Sequence, residues 1–459
     1  MADDSLQKLN TGAMSRRFAL AKTSAQFGGR ALGQKIWQGV LGTSATEAAK
    51  KQKQENLDWL VDELGKMKGS VVKVGQILAT YGEYMLPPDV TEALHRLEDS
   101  TPALAWPNIR ATLVKELGED RLADLDIEEK AFAAASLAQV HKAVRKSDGT
   151  ELCIKVQYPG VDKTIDADLN AVITMLKLSK MLDSTLNLEG WLSEMRALLH
   201  REVNYHYERE QLELAAGALE GNTELKVPTV YPDYCTQRVL VMSWEQGHNL
   251  GSAPVAELSQ ARRNSLSRAL LALFLQEVFD WNRMQTDPNF GNYLIQIDEH
   301  GEQDRLVLLD FGAVRAAPDH FVTHFREMIS AAWFRDTERF ISEALELRFI
   351  EAHFPAALKQ SIAEVGLDLI EPLQPDLSAV APEALNEKGE YLWRDSKLPK
   401  RIAKRALGAS LSKHFAVPPT EFMFVIRKLM GVYTLISAMD GKFKSDDLLR
   451  PYVSASAEQ

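Results

Sequence analysis

Cysteine is scarce in this chain. Cys153 and Cys235 are the only two among 459 residues, and they do not stand in the C-x-x-C spacing of zinc or redox sites. A disulfide framework and a cysteine-bound zinc ion are therefore not expected. Such cysteine usage is typical of a reducing compartment, and it predicts a cytoplasmic protein.

Positive charge is also in short supply over the chain as a whole. The sequence has 53 Lys and Arg residues against 64 Asp and Glu residues, a net charge of −11. The resulting field repels nucleic acid, so a nucleic-acid partner is not expected. With 45% hydrophobic and 25% charged residues, the composition favours a globular protein of two or three packed units.

Long uninterrupted hydrophobic runs are missing. The strongest candidate, from Phe422 to Met439, is interrupted by Arg427 and Lys428, so no transmembrane helix is predicted. The first thirty residues have no apolar core of the kind found in secretory signals, because basic residues punctuate them. A cleaved signal peptide is therefore not expected.

Acidic residues are absent between Asp4 and Glu47, which leaves a local basic segment on an acidic chain. Apolar residues recur within it near helical spacing, from Phe18 to Leu41. A basic amphipathic helix of this kind lies on anionic membrane surfaces, which predicts peripheral membrane contact, with the inner membrane as the candidate. The alternative is a helix that packs its apolar side on its own domain.

One short stretch carries three residues suited to phosphate chemistry. Asp287 and Asn292 stand in D-x-x-x-x-N spacing, and the apolar run Leu306 to Leu309 leads into Asp310-Phe311-Gly312. Protein-kinase-like folds use this order to place a catalytic Asp and two metal ligands around a nucleoside triphosphate. The pattern predicts Asp287 as the base or positioning group, and Asn292 and Asp310 as ligands of Mg²⁺.

A lysine ends the strand-like run Leu152 to Lys155, the position from which kinase-like folds reach nucleotide phosphates. Its ammonium requires a helix glutamate as partner, and three candidates occur on a later helical tract: Glu202, Glu208 and Glu210. The separation of about fifty residues requires an inserted helical element. The insertion disfavours an ordinary protein kinase, as does Met284-Gln285-Thr286 where His-Arg would precede the aspartate.

Glycine is lacking where a phosphate-covering loop is expected. The residues before the strand-like run Val140 to Val144 are alanine-rich, and they are the candidate nucleotide-contacting loop: Ala133, Ala134, Ala135, Ser136, Leu137 and Ala138. Alanine restricts the positive φ angles that glycine allows, which predicts a stiffer loop. Downstream, Ser243 to Glu245 is the predicted connector whose backbone contacts the adenine edge.

Lys73-Val74-Gly75-Gln76 adds a further motif, which matches the K-x-G-Q element of the UbiB (AarF, activity-of-bc-one) family of atypical kinases. The sequence resembles that family over about residues 55–445. Its Gln285-Thr286-Asp287-Pro288-Asn289 stretch resembles the mitochondrial-type branch of ubiquinone-biosynthesis kinases. One position departs from the family pattern, since Asn204 stands where the family's E-x-D motif has Asp.

The resemblance assigns roles to several residues. It implies that the K-x-G-Q residues Lys73, Gly75 and Gln76 gate the active site and that Lys73 pairs with Glu202. It also implies that Glu208 is the helix partner of Lys155.

The expected fold class is α+β, an atypical protein-kinase-like two-lobe fold with an N-terminal helical K-x-G-Q extension. Four regions are predicted: a basic amphipathic segment at 1–50, the helical extension at 51–125, a kinase-like N-lobe with a helical insertion at 126–243, and a helical C-lobe at 244–459.

The implied function is an atypical kinase or ATPase that binds ATP or ADP with Mg²⁺ and supports ubiquinone (isoprenoid quinone) biosynthesis at a membrane surface. The implied partners are a lipid or quinone precursor and the quinone-biosynthesis enzymes. The helical preface is implied to block a peptide cleft, which disfavours phosphorylation of proteins. The alternative is a pseudokinase scaffold that binds nucleotide without turnover.

Overall fold

The computed structural model describes residues 70–81, 88–95, 103–178, 189–301, 303–410 and 419–453, together with residues 55, 57, 58 and 61. The basic amphipathic segment predicted at 1–50 lies outside the described residues. The described chain divides into two compact units. The first unit holds the described residues up to Glu210 with Thr229–Trp244, and the second holds Gln211–Pro228 with the described residues from Glu245 onward.

The α-helices of the described residues are numbered in chain order: α1 (Ser70–Tyr81), α2 (Pro88–His95), α3 (Trp106–Leu117), α4 (Glu119–Ala123), α5 (Ile165–Leu178), α6 (Glu189–Glu202), α7 (Tyr205–Ala218), α8 (Ala253–Ala256), α9 (Gln260–Phe279), α10 (Asp319–Trp333), α11 (Thr337–Glu346), α12 (Ala356–Leu369), α13 (Leu398–Ser410), α14 (Thr420–Ala438) and α15 (Asp446–Leu449).

The β-strands of the described residues are numbered in the same way: β1 (Leu125–Ile127), β2 (Ala133–Ala134), β3 (Ala138–Arg145), β4 (Glu151–Gln157), β5 (Leu225–Lys226), β6 (Val239–Ser243), β7 (His248–Asn249), β8 (Arg283–Gln285), β9 (Tyr293–Gln296), β10 (Arg305–Leu308), β11 (Val314–Ala316), β12 (Tyr391–Leu392) and β13 (Lys442–Phe443).

The first unit is built on an antiparallel sheet in the order β1-β3-β4-β6, with β2 paired to β3. The strand-like runs Val140 to Val144 and Leu152 to Lys155 lie in β3 and β4, which pair as an antiparallel hairpin. Its turn contains Gly149 at φ +76°, a left-handed conformation in which glycine carries no Cβ penalty. The Asp148 carboxylate accepts hydrogen bonds from the Arg145 side chain and closes the turn.

Helices fill the interval between β4 and the glutamates, as the insertion prediction requires. Helices α5 and α6 pack on each other, and α1 packs on both. One prediction was wrong, because the helical tract expected to carry Glu202, Glu208 and Glu210 is two helices, α6 and α7, rather than one. The chain leaves helical geometry at Asn204, whose amide oxygen accepts the N–H of His206 at 3.2 Å. Asparagine offers this bond as a helix N-cap and thereby competes with a continuous helix.

The second unit is mostly helical. Helix α9 is buried along much of its length and packs on α14, while α10 packs on α11 and α12 on α13. The apolar run that ends at Met439 forms α14, with Val425, Leu429, Val432 and Ile436 fully or almost fully buried. No helix among the described residues is both long and apolar enough to cross a membrane.

Two pairs of strands in the second unit position the motif residues. Most of the apolar run Leu306 to Leu309 lies in β10, which pairs antiparallel with β9 within the sheet β5-β10-β9-β7. Strand β8 pairs antiparallel with β11, with Gln285 opposite Val314. The segment 286–292 therefore connects β8 to β9, and the segment 309–313 connects β10 to β11.

Candidate functional site

Lys155 lies on the central strand β4 of the first unit. Its Nζ donates to both carboxylate oxygens of Glu208, at 2.7 and 3.0 Å. Glu208 stands in the first turn of α7 and only 2% of it is exposed, so the carboxylate is held by its surroundings. The pairing is charge-assisted and bidentate at the carboxylate, which fixes the direction of the ammonium.

The three glutamate candidates have separate environments. Glu208 binds Lys155, whereas Glu202 ends α6 and forms an ion pair with Lys73 of α1. Glu210 is exposed. On α1, Gly75 is buried and Gln76 is half-buried. The structure thus separates one glutamate for the strand lysine and one for the K-x-G-Q lysine.

Tyr205 is a site residue that the sequence patterns do not reveal. Its ring is buried, and the Lys155 ammonium lies 5.2 Å from the ring centroid. A cation so placed is attracted to the negative face of the ring. Because Tyr205 begins α7 directly after the Asn204 cap, the helix start positions both Tyr205 and Glu208 around the lysine.

The sheet register places three further residues on the face that carries Lys155. Val140 is opposite Lys155, and Lys142 is opposite Cys153, so their side chains share one face. The other face is buried, since His141, Ala143 and Ile154 are almost fully covered. Burial raises the pKa of Cys153 to about 12. The neutral thiol is therefore a small apolar neighbour of Lys155 rather than a reactive group.

The alanine-rich segment forms a tight hairpin rather than an open loop. Ala133 pairs with Val140, and Ala135 N–H donates to Ala138 O at 2.8 Å. The side chains of Ser136, Leu137 and Ala138 are buried, whereas Ala133 to Ala135 are exposed. Ala133 to Ala135 are therefore the residues of this segment that present surface to a ligand.

The connector Ser243 to Glu245 uses much of its polar backbone within the protein. Ser243 N–H donates to Thr229 O at 2.8 Å, and Trp244 N–H donates to Glu151 O at 3.0 Å. The Glu245 carboxylate binds Lys226 Nζ at 2.7 Å in the second unit. The N–H groups of Ser243 and Trp244 are therefore already paired within the protein.

Asp287 and Asn292 meet on the segment between β8 and β9. Asn292 Nδ2 donates to the backbone oxygen of Asp287 at 2.9 Å and to its carboxylate Oδ2 at 3.2 Å. A 3₁₀ turn, Phe290–Asn292, brings the amide back toward the aspartate, and the Asn289 side chain accepts the Gly291 N–H. Since the amide nitrogen is used by Asp287, the amide oxygen is the atom directed elsewhere.

Asp310 follows β10 and lies half-buried next to this segment. Leu309 N–H donates to Asn292 O at 2.9 Å, which ties the residue before Asp310 to the asparagine. Asp310 Oδ1 accepts the Gly312 N–H at 2.9 Å, so the carboxylate is fixed by its own turn. The strand ladders on either side thus bring Asn292 and Asp310 into adjacent positions.

Gln285 and Thr286 are two further residues whose roles sequence reasoning missed. Gln285 Oε1 accepts the Asp287 N–H at 2.7 Å. Thr286 Oγ1 donates to Ala313 O at 2.8 Å, and its N–H donates to the same oxygen at 3.1 Å. These residues occupy the places where an ordinary kinase has His and Arg, and here they fix the aspartate and join it to the chain after Asp310. The available signal was their place directly before Asp287.

The donor atoms suit a hard cation. Asn292 and Asp310 offer only oxygen ligands, which Mg²⁺ prefers, and neither cysteine nor histidine belongs to the set. No group of three His, Cys, Asp or Glu side chains able to hold a metal occurs among the described residues. Two protein oxygens fit Mg²⁺ held mainly by water and phosphate, as is usual in nucleotide sites.

Comparison with known proteins finds a kinase-like domain in this chain. The model of the ABC1 atypical kinase-like domain matches residues 96–344. The chain is 29% identical over 430 residues to "Atypical kinase COQ8, mitochondrial" of Saccharomyces cerevisiae, covering 94% of this chain and 82% of that protein. It is 31% identical over 401 residues to "Atypical kinase COQ8B, mitochondrial" of Rattus norvegicus, covering 86% of this chain and 72% of that protein.

A solved structure has the same fold. The Rv3197–erythromycin complex from Mycobacterium tuberculosis matches with a TM-score of 0.58 over 91% of this chain and 100% of that chain, at 21% identity. At this identity the likeness concerns the fold alone. Because the domain model matches more than half of the chain and the rat relative is similar over most of both proteins, this chain belongs to the ABC1 (UbiB/AarF) family of atypical kinases.

Proposed function

We propose that the chain is an atypical kinase or ATPase that binds ATP or ADP with Mg²⁺. The observation that carries the proposal is the mutual arrangement of Asp287, Asn292 and Asp310 in the second unit. The Asn292 side-chain nitrogen donates to Asp287. The N–H of Leu309, the residue before Asp310, donates to the Asn292 backbone oxygen. Two oxygen ligands and a carboxylate base are thereby fixed before any ligand binds, which lowers the cost of forming the site.

Each residue has a separate task in the proposed chemistry. Asn292 Oδ1 and the Asp310 carboxylate hold Mg²⁺, whose charge offsets that of the phosphate oxygens. Asp287 orients the attacking hydroxyl and accepts its proton. Lys155 donates to phosphate oxygens, while Glu208 and Tyr205 keep its ammonium directed along the sheet face.

The K-x-G-Q pair has a proposed regulatory task. Lys73 and Glu202 join α1 to the end of α6, directly before the Asn204 cap that starts α7. A shift of α1 would therefore act on the helix start that positions Tyr205 and Glu208. We propose that the ion pair gates turnover through this helix start.

The proposed biological role is support of ubiquinone biosynthesis at a membrane surface. The family membership and the mitochondrial atypical kinases to which the chain is similar support this assignment. In this role ATP turnover serves a lipid or quinone precursor or the enzymes that process it, and the basic segment at 1–50 is the proposed membrane contact.

The test is Mg²⁺-dependent release of phosphate from ATP by the purified full chain. Asp310→Asn should abolish turnover, because the substitution removes the charge from a metal ligand. The matched control is Asp376→Asn, since exposed Asp376 also accepts the N–H two residues on, at 2.9 Å, but lies outside the site. Turnover equal in wild type and Asp310→Asn would refute the proposal.

A second measurement separates the enzyme from a scaffold. Binding of a fluorescent ATP analogue should require Mg²⁺ and should weaken in Lys155→Met. If the wild type binds the analogue but releases no phosphate, with or without anionic vesicles, the chain is a pseudokinase scaffold. Stimulation of turnover by anionic vesicles over neutral ones would support the membrane role.

A further inference from the structure

Helix α14 touches the segment between β8 and β9 at several points. Arg427 Nη2 lies 3.4 Å from Asp287 Oδ1. One residue later, buried Lys428 contacts Glu277 of α9 at 3.0 Å and donates to Tyr293 Oη at 3.3 Å. One turn further along, Gly431 faces Pro288. The helix belongs to the second unit, as do all of these partners.

The contacts reach both flanks and the middle of the segment. Glu277 Oε1 accepts the N–H of Gln285, the residue that ends β8, at 3.4 Å. Lys428 binds both Glu277 and Tyr293, and Tyr293 begins β9. The buried ion pair therefore joins the two ends of the segment that contains Asp287 and Asn292.

Gly431 allows the helix and the segment to approach closely. A Cβ at this position would lie 2.2 Å from both Cβ and Cγ of Pro288, far inside contact distance. The proline ring cannot turn away, because its φ is fixed by covalent structure. Any side chain at residue 431 must therefore displace Pro288 or the helix, and Pro288 directly follows Asp287.

We propose that α14 positions the segment between β8 and β9 and that Arg427 is a positioning residue for Asp287. This inference rests on the proposed function. Helix α14, at Thr420–Ala438, lies outside the residues 96–344 that the domain model matches. Arg427 holds one carboxylate oxygen of Asp287 while Asn292 holds the other, so the base is oriented from two sides. Gly431 sets the distance between helix and segment.

The experiment compares Arg427→Met, Arg427→Lys and Gly431→Ala in the full chain. We expect Arg427→Met and Gly431→Ala to lower kcat by about 100-fold, because a catalytic group misplaced by about 1 Å loses about that much rate, with little change in the KM for ATP. Arg427→Lys should recover part of the loss, since it retains a cation near Asp287. Amide hydrogen exchange of the peptide 285–293 should be faster in Arg427→Met and Gly431→Ala than in wild type.

The matched control is Gly366→Ala. A Cβ there would lie 2.2 Å from Phe340 Cζ, an equally severe clash between helices of the second unit that does not involve the segment. It should lower stability without speeding exchange in 285–293. Unchanged exchange in that peptide for both Arg427→Met and Gly431→Ala would overturn the inference. If exchange is faster in these variants but the wild-type protein shows no ATP turnover, the positioning role is retained and the proposed chemistry is refuted.

Discussion

At the scale of single residues, His141 shows how a hydrogen-bond network selects one protonation state. Gln139 is held by the Leu104 backbone, since its Oε1 accepts the Leu104 N–H and its Nε2 donates to the Leu104 oxygen. Gln139 Nε2 also lies 2.9 Å from His141 Nε2, so that ring nitrogen must accept. The other ring nitrogen, Nδ1, lies 2.7 Å from Glu128 O and carries the proton. A doubly protonated ring would set two donors against each other.

This network predicts loss of stability in mild acid. Burial lowers the pKa of His141 below its ordinary value, which outweighs the hydrogen bond to Glu128 O. The unfolded chain takes up a proton near pH 6.5, whereas the folded chain does so only at lower pH, so the unfolded state binds more protons in between. The contribution of His141 to stability is therefore fully present above the pKa of the unfolded chain. It is lost as the pH decreases toward the pKa of the folded chain.

The measurement is thermal melting at about pH 7.5 and about pH 5.5, where the wild type should melt lower in acid. His141→Gln should reduce the difference between the two melting temperatures, although it lowers both. Exposed His300→Gln is the control and should leave the difference as it is in wild type. An unaltered difference in His141→Gln would exclude His141 as its source.

Among the site residues, the sequence was most informative where chemistry restricts the residue type. Asp287, Asn292, Asp310 and Lys155 were predicted because kinase-like phosphate chemistry places these residue types at this spacing. Tyr205 and Gln285 could not be found in the same way, since their contributions are a ring face and a side-chain bond to backbone. Such contacts depend on the fold and leave no spacing pattern.

At the scale of elements, a lysine within the apolar run of α14 forms a buried ion pair with α9. Lys428 interrupts an apolar run, yet it is 1% exposed and lies 3.0 Å from the Glu277 carboxylate. Burial is the largest single effect and alone would lower the pKa of Lys428, but the charges and hydrogen bonds of Glu277 and Tyr293 together hold the pKa above its ordinary value. The lysine stays charged in the folded state at any physiological pH.

Replacing one partner of this ion pair should destabilise the protein more than replacing both. Lys428→Met leaves the Glu277 charge buried without its partner, which should cost roughly 3–5 kcal/mol of unfolding free energy. The double variant Lys428→Met with Glu277→Leu should lose less, because no uncompensated charge remains. Urea unfolding measures both, with exposed Lys388→Met as the near-neutral control. A double variant less stable than Lys428→Met would contradict this account.

The elements themselves were predicted unevenly. The hairpin of β3 and β4 and the strands β9 and β10 follow from apolar runs bounded by turn residues. The break at Asn204 was missed, because the residues around it are all compatible with a helix and the deciding feature is one side-chain bond to a backbone N–H. The strands β7, β8, β12 and β13 have two or three residues each and carry no periodicity to detect.

At the scale of the whole molecule, nucleotide binding is expected to depend on residues of each unit. Lys155 and Glu208 belong to the first unit, and Asn292 and Asp310 belong to the second. A ligand that binds only the folded chain stabilises it, by about 2.7 kcal/mol at a concentration of about 100 times Kd. We therefore expect Mg²⁺ with ATP to raise the melting temperature of the wild type.

The same measurement tests the contribution of each unit. Lys155→Met and Asp310→Asn should each reduce the rise in melting temperature, and chelation of Mg²⁺ should reduce it in the wild type. Asp376→Asn should retain the full rise, because Asp376 accepts a hydrogen bond in its own turn and is not among the proposed binding residues. If Lys155→Met shows the full rise in melting temperature, Lys155 of the first unit does not contribute to nucleotide binding.

The two cysteines have a practical consequence for future spectroscopy. Cys153 and Cys235 are both buried, and burial keeps the Cys153 thiol protonated. Maleimide reagents attack exposed thiolates, so the native protein should react slowly with them. A single cysteine introduced at an exposed position such as Phe132 would then carry one fluorophore or spin label per chain. The two natural cysteines should therefore take up little label in a site-specific labelling experiment.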